Sequence, residues 1–280
     1  MTENDIRKAI EANVTAALTE DMGTGDLTAQ LIPGECRAQA TLITRQDAVL
    51  CGRPWFEACF RRLDAQVQIR WLASEGERVT AGATLCEIDG NARAILSAER
   101  PALNFLQTLS ATATVTRRYV DAIAGTKAVI MDTRKTLPGL RIAQKYAVKI
   151  GGGANQRIGL FDGILIKENH IVAAGGIPQV MAAARRLAPA GVSIQIEVES
   201  LDELRQALDA GATLILLDNF SIGQMREAVD FTQGRAQLEA SGGIGVDSLR
   251  AIAETGVDRI SIGGLTKSIN AIDLSLRVAS

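Results

Sequence analysis

The sequence predicts an α/β protein in two parts: antiparallel strands in the first third, then an open, incomplete α/β barrel of about six parallel strands. Three observations lead there. From about residue 125, short apolar runs alternate with helical stretches, the βαβα rhythm of a parallel sheet. Between residues 36 and 96 the runs instead alternate apolar with polar residues and are separated by turn residues. The chain is 47% hydrophobic but only 4% aromatic, so its core is built from Ala, Val, Ile and Leu. A complete eightfold barrel takes about 250 residues. The part of this 280-residue chain after Gly125 is too short for one.

The elements follow in order. Ile6, Ile10, Val14, Ala17 and Leu18 recur at helical spacing, so a helix over 4–20 opens the chain and stops at Glu20-Asp-Met-Gly-Thr-Gly-Asp26. Ala38–Thr44 and Val67–Leu72 read as antiparallel strands, with a helix over Pro54–Leu63 between them. Glu75–Asn91 has a Val-x-x-Gly-x-x-Leu spacing similar to that of biotinyl and lipoyl carrier domains. Such carriers present a lysine at a hairpin tip; the tip expected here, Asp89-Gly90-Asn91, has none, which leaves a small structural hairpin. A long helix is expected from Ser97, as its cap, to about Ala124, with Pro101 in the first turn and Leu103, Leu106, Leu109 and Ala113 as its apolar stripe. Strands are then expected near 128–132, 163–167, 193–198, 213–217, 236–240 and 259–262. Helices are expected near 140–150, 177–187, 201–209, 221–232 and 246–255.

Composition excludes several roles. A net charge of −2 argues against a general electrostatic grip on nucleic acid. Cys36, Cys51, Cys59 and Cys86 form no CxxC pair and read as reduced thiols rather than a disulfide frame or zinc site. The first residues lack the apolar core of a signal peptide, and no apolar run is long enough to cross a bilayer. A soluble, cytoplasmic protein is expected.

The strand ends carry the chemistry. The six barrel strands run out into Asp132-Thr-Arg-Lys135, Lys167-Glu-Asn-His170, Glu197-Val-Glu199, Asp218-Asn219, Ser241-Gly-Gly243 and Gly263-Gly264. The active-site face of such barrels is the C-terminal end of the strands. Cations (Arg134, Lys135, Arg157, Lys167) gather on the early strands, acids on the middle ones and glycines on the last two. Glycine loops there suit a phosphate, because backbone N–H groups point at it. Isolated acids suit Mg²⁺, which takes one or two carboxylates plus substrate oxygens. Arginines suit a carboxylate through paired contacts. A phosphorylated, Mg-bound substrate opposite a carboxylate-bearing one is expected. His170, the one histidine, reads as a packing or hydrogen-bonding group.

The ordered set of motifs resembles one family over nearly all of the chain. It comprises Glu20-Asp-Met-Gly-Thr-Gly-Asp-Leu-Thr28, Ala98-Glu-Arg-Pro-Ala-Leu-Asn-Phe105, Asp132-Thr-Arg-Lys-Thr-Leu-Pro-Gly-Leu-Arg141 and Lys145-Tyr-Ala-Val148. It continues through Gly151-Gly-Gly-Ala-Asn-Gln-Arg157, Leu165-Ile-Lys-Glu-Asn-His170, Leu217-Asp-Asn-Phe220, Glu239-Ala-Ser-Gly-Gly243 and Ile262-Gly-Gly-Leu-Thr266. The family is nicotinate-nucleotide pyrophosphorylase (carboxylating), or quinolinate phosphoribosyltransferase. The resemblance implies an N-terminal α/β sandwich (1–108), an open α/β barrel (109–268), and a tail (269–280) packing back on the first domain. It implies a homodimer and a reaction of NAD synthesis: quinolinate plus phosphoribosyl pyrophosphate gives nicotinate mononucleotide, pyrophosphate and CO₂.

By resemblance, Arg134, Gln156, Arg157 and Lys167 face quinolinate, together with the partner subunit's Arg100. Many members have histidine where Gln156 stands. Lys135, Glu197 and Asp218 are the implied catalytic residues. With Ser241, Gly242, Gly243, Gly263 and Gly264 they hold phosphoribosyl pyrophosphate, and Glu197 and Asp218 also hold Mg²⁺. Two other readings are a barrel relative encoded with molybdate transport systems and a non-catalytic phosphosugar-binding protein.

Overall fold

A computed structural model describes residues 1–278; residues 279 and 280 of the expected tail lie outside the described residues. The chain begins with helix α1 (Glu3–Met22), strands β1 (Arg37–Thr44) and β2 (Ala48–Val49), helix α2 (Arg53–Leu63), strands β3 (Gln68–Trp71), β4 (Arg78–Val79) and β5 (Thr84–Asn91), and helix α3 (Ala92–Ala122). Next come β6 (Val129–Met131), α4 (Arg141–Ile150), β7 (Gly163–Ile166), α5 (Glu168–Ala174), α6 (Ile177–Leu187), β8 (Ser193–Val198) and α7 (Leu201–Asp209). The last are β9 (Leu214–Asp218), α8 (Ile222–Thr232), β10 (Gln237–Ser241), α9 (Val246–Ala253), β11 (Arg259–Ser261), α10 (Gly264–Lys267) and β12 (Leu274–Val278). Among the described residues no helix is long and apolar enough to cross a membrane.

Two compact units result, and neither is contiguous in sequence. One holds residues 1–117, 136–152 and the chain from Gly264 on; the other holds 118–135 and 153–263. Helix α4 therefore groups with the N-terminal elements, although in sequence it lies between parallel strands. Its Ala143 and Ala147 lie in the core with Trp55, Phe56 and Leu106, and the Tyr146 hydroxyl donates to Glu75 Oε1 at 3.0 Å, while buried Gln144 ties the Leu137 N–H to the Thr266 carbonyl, each at 2.8 Å.

The first unit is built on an antiparallel sheet of order β12-β1-β5-β3. Alternation along β1 buries Ala40, Leu42 and Thr44 against a core that includes Trp55, Phe56, Phe60, Ile95 and Leu106. The C-terminal strand β12 lies antiparallel along β1. Two expectations fail here. The hairpin ending at Asp89-Gly90-Asn91 does not form: β4 pairs with β2, and those three residues lie inside β5 against Arg37–Gln39 of β1. The long helix starts earlier than Ser97, at Ala92, where Asn91 Oδ1 accepts from the Ala94 N–H at 3.2 Å. Ser97 is buried and its hydroxyl donates to Asp26 Oδ2 at 2.7 Å, so a tertiary partner replaces the capping role. Pro101 thus lies within the helix, where a proline costs on the order of 3 kcal/mol; its burial in the core offsets part of that.

The second unit carries the parallel sheet, of order β6-β11-β10-β9-β8-β7. Its six strands fall where the apolar runs end at turn residues. The first strand, β6, pairs with the last, β11, and β7 forms the opposite edge, so the barrel stays open between its first two strands. Ala154 bridges Met131 on the outer side of β6, its N–H donating to the Ile130 carbonyl at 2.8 Å, which occupies that edge's hydrogen-bonding groups. Two short helices were not expected: Glu168–Ala174 coils immediately after β7 instead of forming a loop, and Gly264–Lys267 follows β11.

Candidate active site

Strands β8 and β9 run side by side, pairing Val198 with Leu217, and their ends bring acids together. One carboxylate oxygen each from Glu197, Glu199 and Asp218 lies within 4.8 Å of the others. Glu199 is the addition. It stands one position past β8, where it reads as an ordinary loop acid, and only the neighbouring strand end gives it a cluster. Desolvation first, then Glu168, Glu203, Asp218 and Glu197, push its carboxyl above the usual range. Glu197 is mostly covered, its side chain 13% exposed, and Lys167 Nζ donates to its Oε2 at 2.6 Å. That ion pair joins two residues expected to serve different substrates. His170 Nδ1 accepts from the Lys167 N–H at 3.0 Å, which makes this histidine a cap on the start of α5.

On the edge beside β6, the fully buried Asp132 fixes the following loop. It accepts from Asn155 Nδ2 at 2.6 Å and from the Gln156 N–H at 2.8 Å. Arg134, on the loop after β6, and Arg157, on the loop after α4, crowd each other. Partial burial and the Arg134 guanidinium together hold Arg157 below the usual arginine value, and Asp162 opposes them. Arg157 Nη1 donates to the Gly163 carbonyl at 2.9 Å, which anchors its base near the start of β7. Like charges held close without neutralising each other mark a place where an anion binds favourably.

The glycine loops are shaped by close approach. Gly242 has φ +105°, and a Cβ there would meet Asn219 Oδ1 at 2.1 Å. Asn219 itself has φ 56°, and its N–H donates to the Ser241 carbonyl at 3.0 Å, so the loops after β9 and β10 are locked together. At Gly263 a Cβ would meet Lys135 Cδ at 2.9 Å, so the Lys135 stem lies directly on this glycine. Exposed Lys135 and the loop after the last parallel strand, β11, thereby share one region. Gly264 and Arg100 belong to the other compact unit.

Beneath the strand ends lies a buried polar layer that the sequence reading left unassigned. Glu239, fully enclosed on β10, accepts from Gln195 Nε2 at 3.0 Å and from Gln156 Nε2. Burial pushes its carboxyl up, partly countered by the hydrogen bonds from Gln195 and Ser261. A polar residue in mid-strand looks like one on a solvent-facing side, so nothing local marks it as interior.

Comparison with known proteins places the chain in a family. A family model described as quinolinate phosphoribosyl transferase, C-terminal domain, matches residues 112–277, and its N-terminal domain counterpart matches residues 26–110. A probable nicotinate-nucleotide pyrophosphorylase [carboxylating] of Bacillus subtilis is 42% identical over 259 residues, covering 92% of this chain and 90% of that protein. The chloroplastic nicotinate-nucleotide pyrophosphorylase [carboxylating] of Oryza sativa is 39% identical over 289 residues, 96% of this chain and 77% of that one. Among solved structures, the nicotinate-nucleotide pyrophosphorylase of Francisella tularensis superposes with a TM-score of 0.94 at 48% identity, covering 100% of this chain and 98% of that one. Motif order, open parallel sheet and both domain models agree: this chain belongs to the quinolinate phosphoribosyltransferase family.

Proposed function

We propose that the strand ends of the parallel sheet carry out the reaction of this family: transfer of the phosphoribosyl group of phosphoribosyl pyrophosphate to the ring nitrogen of quinolinate, with loss of CO₂, in NAD biosynthesis. One observation carries the reading. A crowded acid group, Glu197, Glu199 and Asp218, stands at the ends of β8 and β9, and a crowded cation pair, Arg134 just past the end of β6 and Arg157 on the loop before β7, belongs to the same unit. That is a site for two different anions.

Arg134, Arg157 and Lys167 take the two adjacent carboxylates of quinolinate, with Gln156 as a neutral donor beside them. The partner subunit's Arg100 completes that wall in a homodimer. Lys135 and the loops at Ser241–Gly243 and Gly263–Gly264 receive the phosphates. Glu197 and Asp218 hold the ribose hydroxyls. Three carboxylates spaced this closely also fit Mg²⁺; Glu197, Glu199 and Asp218 would hold the ion, which would supply charge neutralisation for pyrophosphate. The ring nitrogen forms its bond to the anomeric carbon as the bond to pyrophosphate breaks. The pyridinium so formed draws in the electron pair left when the adjacent carboxylate departs as CO₂, and a proton then takes that carbon position. No protein nucleophile is needed; the residues position substrates and stabilise charge. Incubation with quinolinate, phosphoribosyl pyrophosphate and Mg²⁺ should yield nicotinate mononucleotide and CO₂, and absence of both products removes the proposal.

A further inference from the structure

Glu239 has no part in the reaction set out above, yet it is a carboxyl group placed in the interior of a sheet. Side chains two apart on a strand share a face. Glu239 therefore lies one step below Ser241 on β10, as Gln195 lies one step below Glu197 on β8 and Ser261 below Gly263 on the segment that leaves β11. These residues form a polar layer directly beneath the strand-end groups. At its centre, Glu239 Oε2 accepts from Gln195 Nε2 at 3.0 Å and Oε1 accepts from Gln156 Nε2. An enclosed carboxyl is costly where an aliphatic side chain would pack, even with two amides on it.

What the carboxyl holds is Gln156. That residue is gripped at both ends by buried acids: its N–H donates to Asp132 Oδ1 at 2.8 Å and its side-chain amide donates to Glu239. A carboxylate only accepts, so the amide must turn its nitrogen, not its oxygen, toward Glu239. We infer that Glu239 is a positioning residue for recognition of the pyridine substrate: through Gln156 it fixes the amide beside Arg157 that meets a substrate carboxylate. The inference rests on the quinolinate reading of this site.

Glu239→Gln tests it, because the new amide presents N–H to one of its two donors and one link must invert. Apparent KM for quinolinate and for phosphoribosyl pyrophosphate, kcat and Tm are measured for wild type, Glu239→Gln, Gln156→Ala and the double variant. The expected result is a rise of roughly ten-fold in quinolinate KM. Phosphoribosyl pyrophosphate KM should stay within about two-fold, and Glu239→Gln should add little once Gln156 is alanine. Gln195→Met, which removes the other donor to the same carboxyl, should lower Tm and leave quinolinate KM within about two-fold. If Glu239→Gln does not fold, Glu239→Asp withdraws the carboxyl by one methylene and should show the same selective loss. Unchanged quinolinate KM in a folded variant, additive losses in the double variant, or failure of both Glu239 variants to fold overturns the inference. An inactive wild-type chain overturns the reading of the site and the inference with it.

Discussion

The two ends of the six-stranded sheet handle charge in opposite ways. Where the strands begin, Lys127 Nζ meets Asp258 Oδ1 at 2.8 Å, Asp258 Oδ2 accepts from the Leu238 N–H at 2.8 Å, and Arg259 donates to Gln237 at 2.6 Å. Each charge there meets an opposite charge or a neutral dipole. Where the strands end, like charges are gathered instead. Glu197, Glu199 and Asp218 lie together, and their crowding with burial raises the Glu199 carboxyl, while burial and Arg134 lower Arg157. The first arrangement serves the fold. The second gathers more like charge than its own partners, such as Lys167 on Glu197, balance, and bound ions relieve the remainder.

The largest effects should come from the strand ends. Glu197→Ala or Asp218→Ala should lower kcat/KM by roughly 10²–10³-fold, acting on phosphoribosyl pyrophosphate more than on quinolinate, while Tm holds or rises in Asp218→Ala as repulsion is relieved. Steady-state kinetics with each substrate varied in turn decides this; equal losses for both substrates would reverse the assignment. Next, Arg100→Ala and Lys135→Ala should each be inactive alone. Mixed and allowed to exchange subunits, they should regain about one quarter of full activity, the share of sites that random pairing in a two-fold dimer makes intact. Exchange without recovery would place Arg100 within its own subunit's structure.

The other end should behave in the opposite sense. Asp258→Ala strands the Leu238 N–H and the Lys127 ammonium, so it should cost about 1–2 kcal/mol in denaturant unfolding and leave kcat/KM of the folded fraction unchanged. The smallest effect concerns pH. The Glu239 carboxyl is raised above 4.5, mainly by burial, so the folded state holds this proton more tightly than the unfolded chain does. Its contribution to stability is therefore full below about 4.5 and is lost as pH rises through the higher folded value. Unfolding free energy followed upward from pH 4 should fall less steeply for Glu239→Gln than for wild type, and equal slopes would contradict the burial argument.

Much of this was legible in the chain. Buried parallel strands read as unbroken apolar runs, so 163–166 and 214–218 announce themselves between turn residues. The charges and glycines at their ends identify the active face. What stayed hidden depends on which strands adjoin. Nothing local states that β6 pairs with β11, or that Glu199 completes a cluster across from Asp218. Ser97 looks like a cap because capping is a local propensity, and Asp26, far away in sequence, overrides it. Glu239 and Gln195 are invisible for a related reason: a strand interior filled with polar groups is recognised only by the hydrogen bonds that satisfy it.

The central claim is that crowded cations at the strand ends are built for two carboxylates. Turnover of quinolinate and nicotinate, measured side by side with phosphoribosyl pyrophosphate and Mg²⁺, tests it most directly. Removing one carboxylate strands charged groups at a cost of about 1–3 kcal/mol for each, so quinolinate should be preferred by at least roughly 10²-fold in kcat/KM. Comparable turnover of nicotinate would contradict the account.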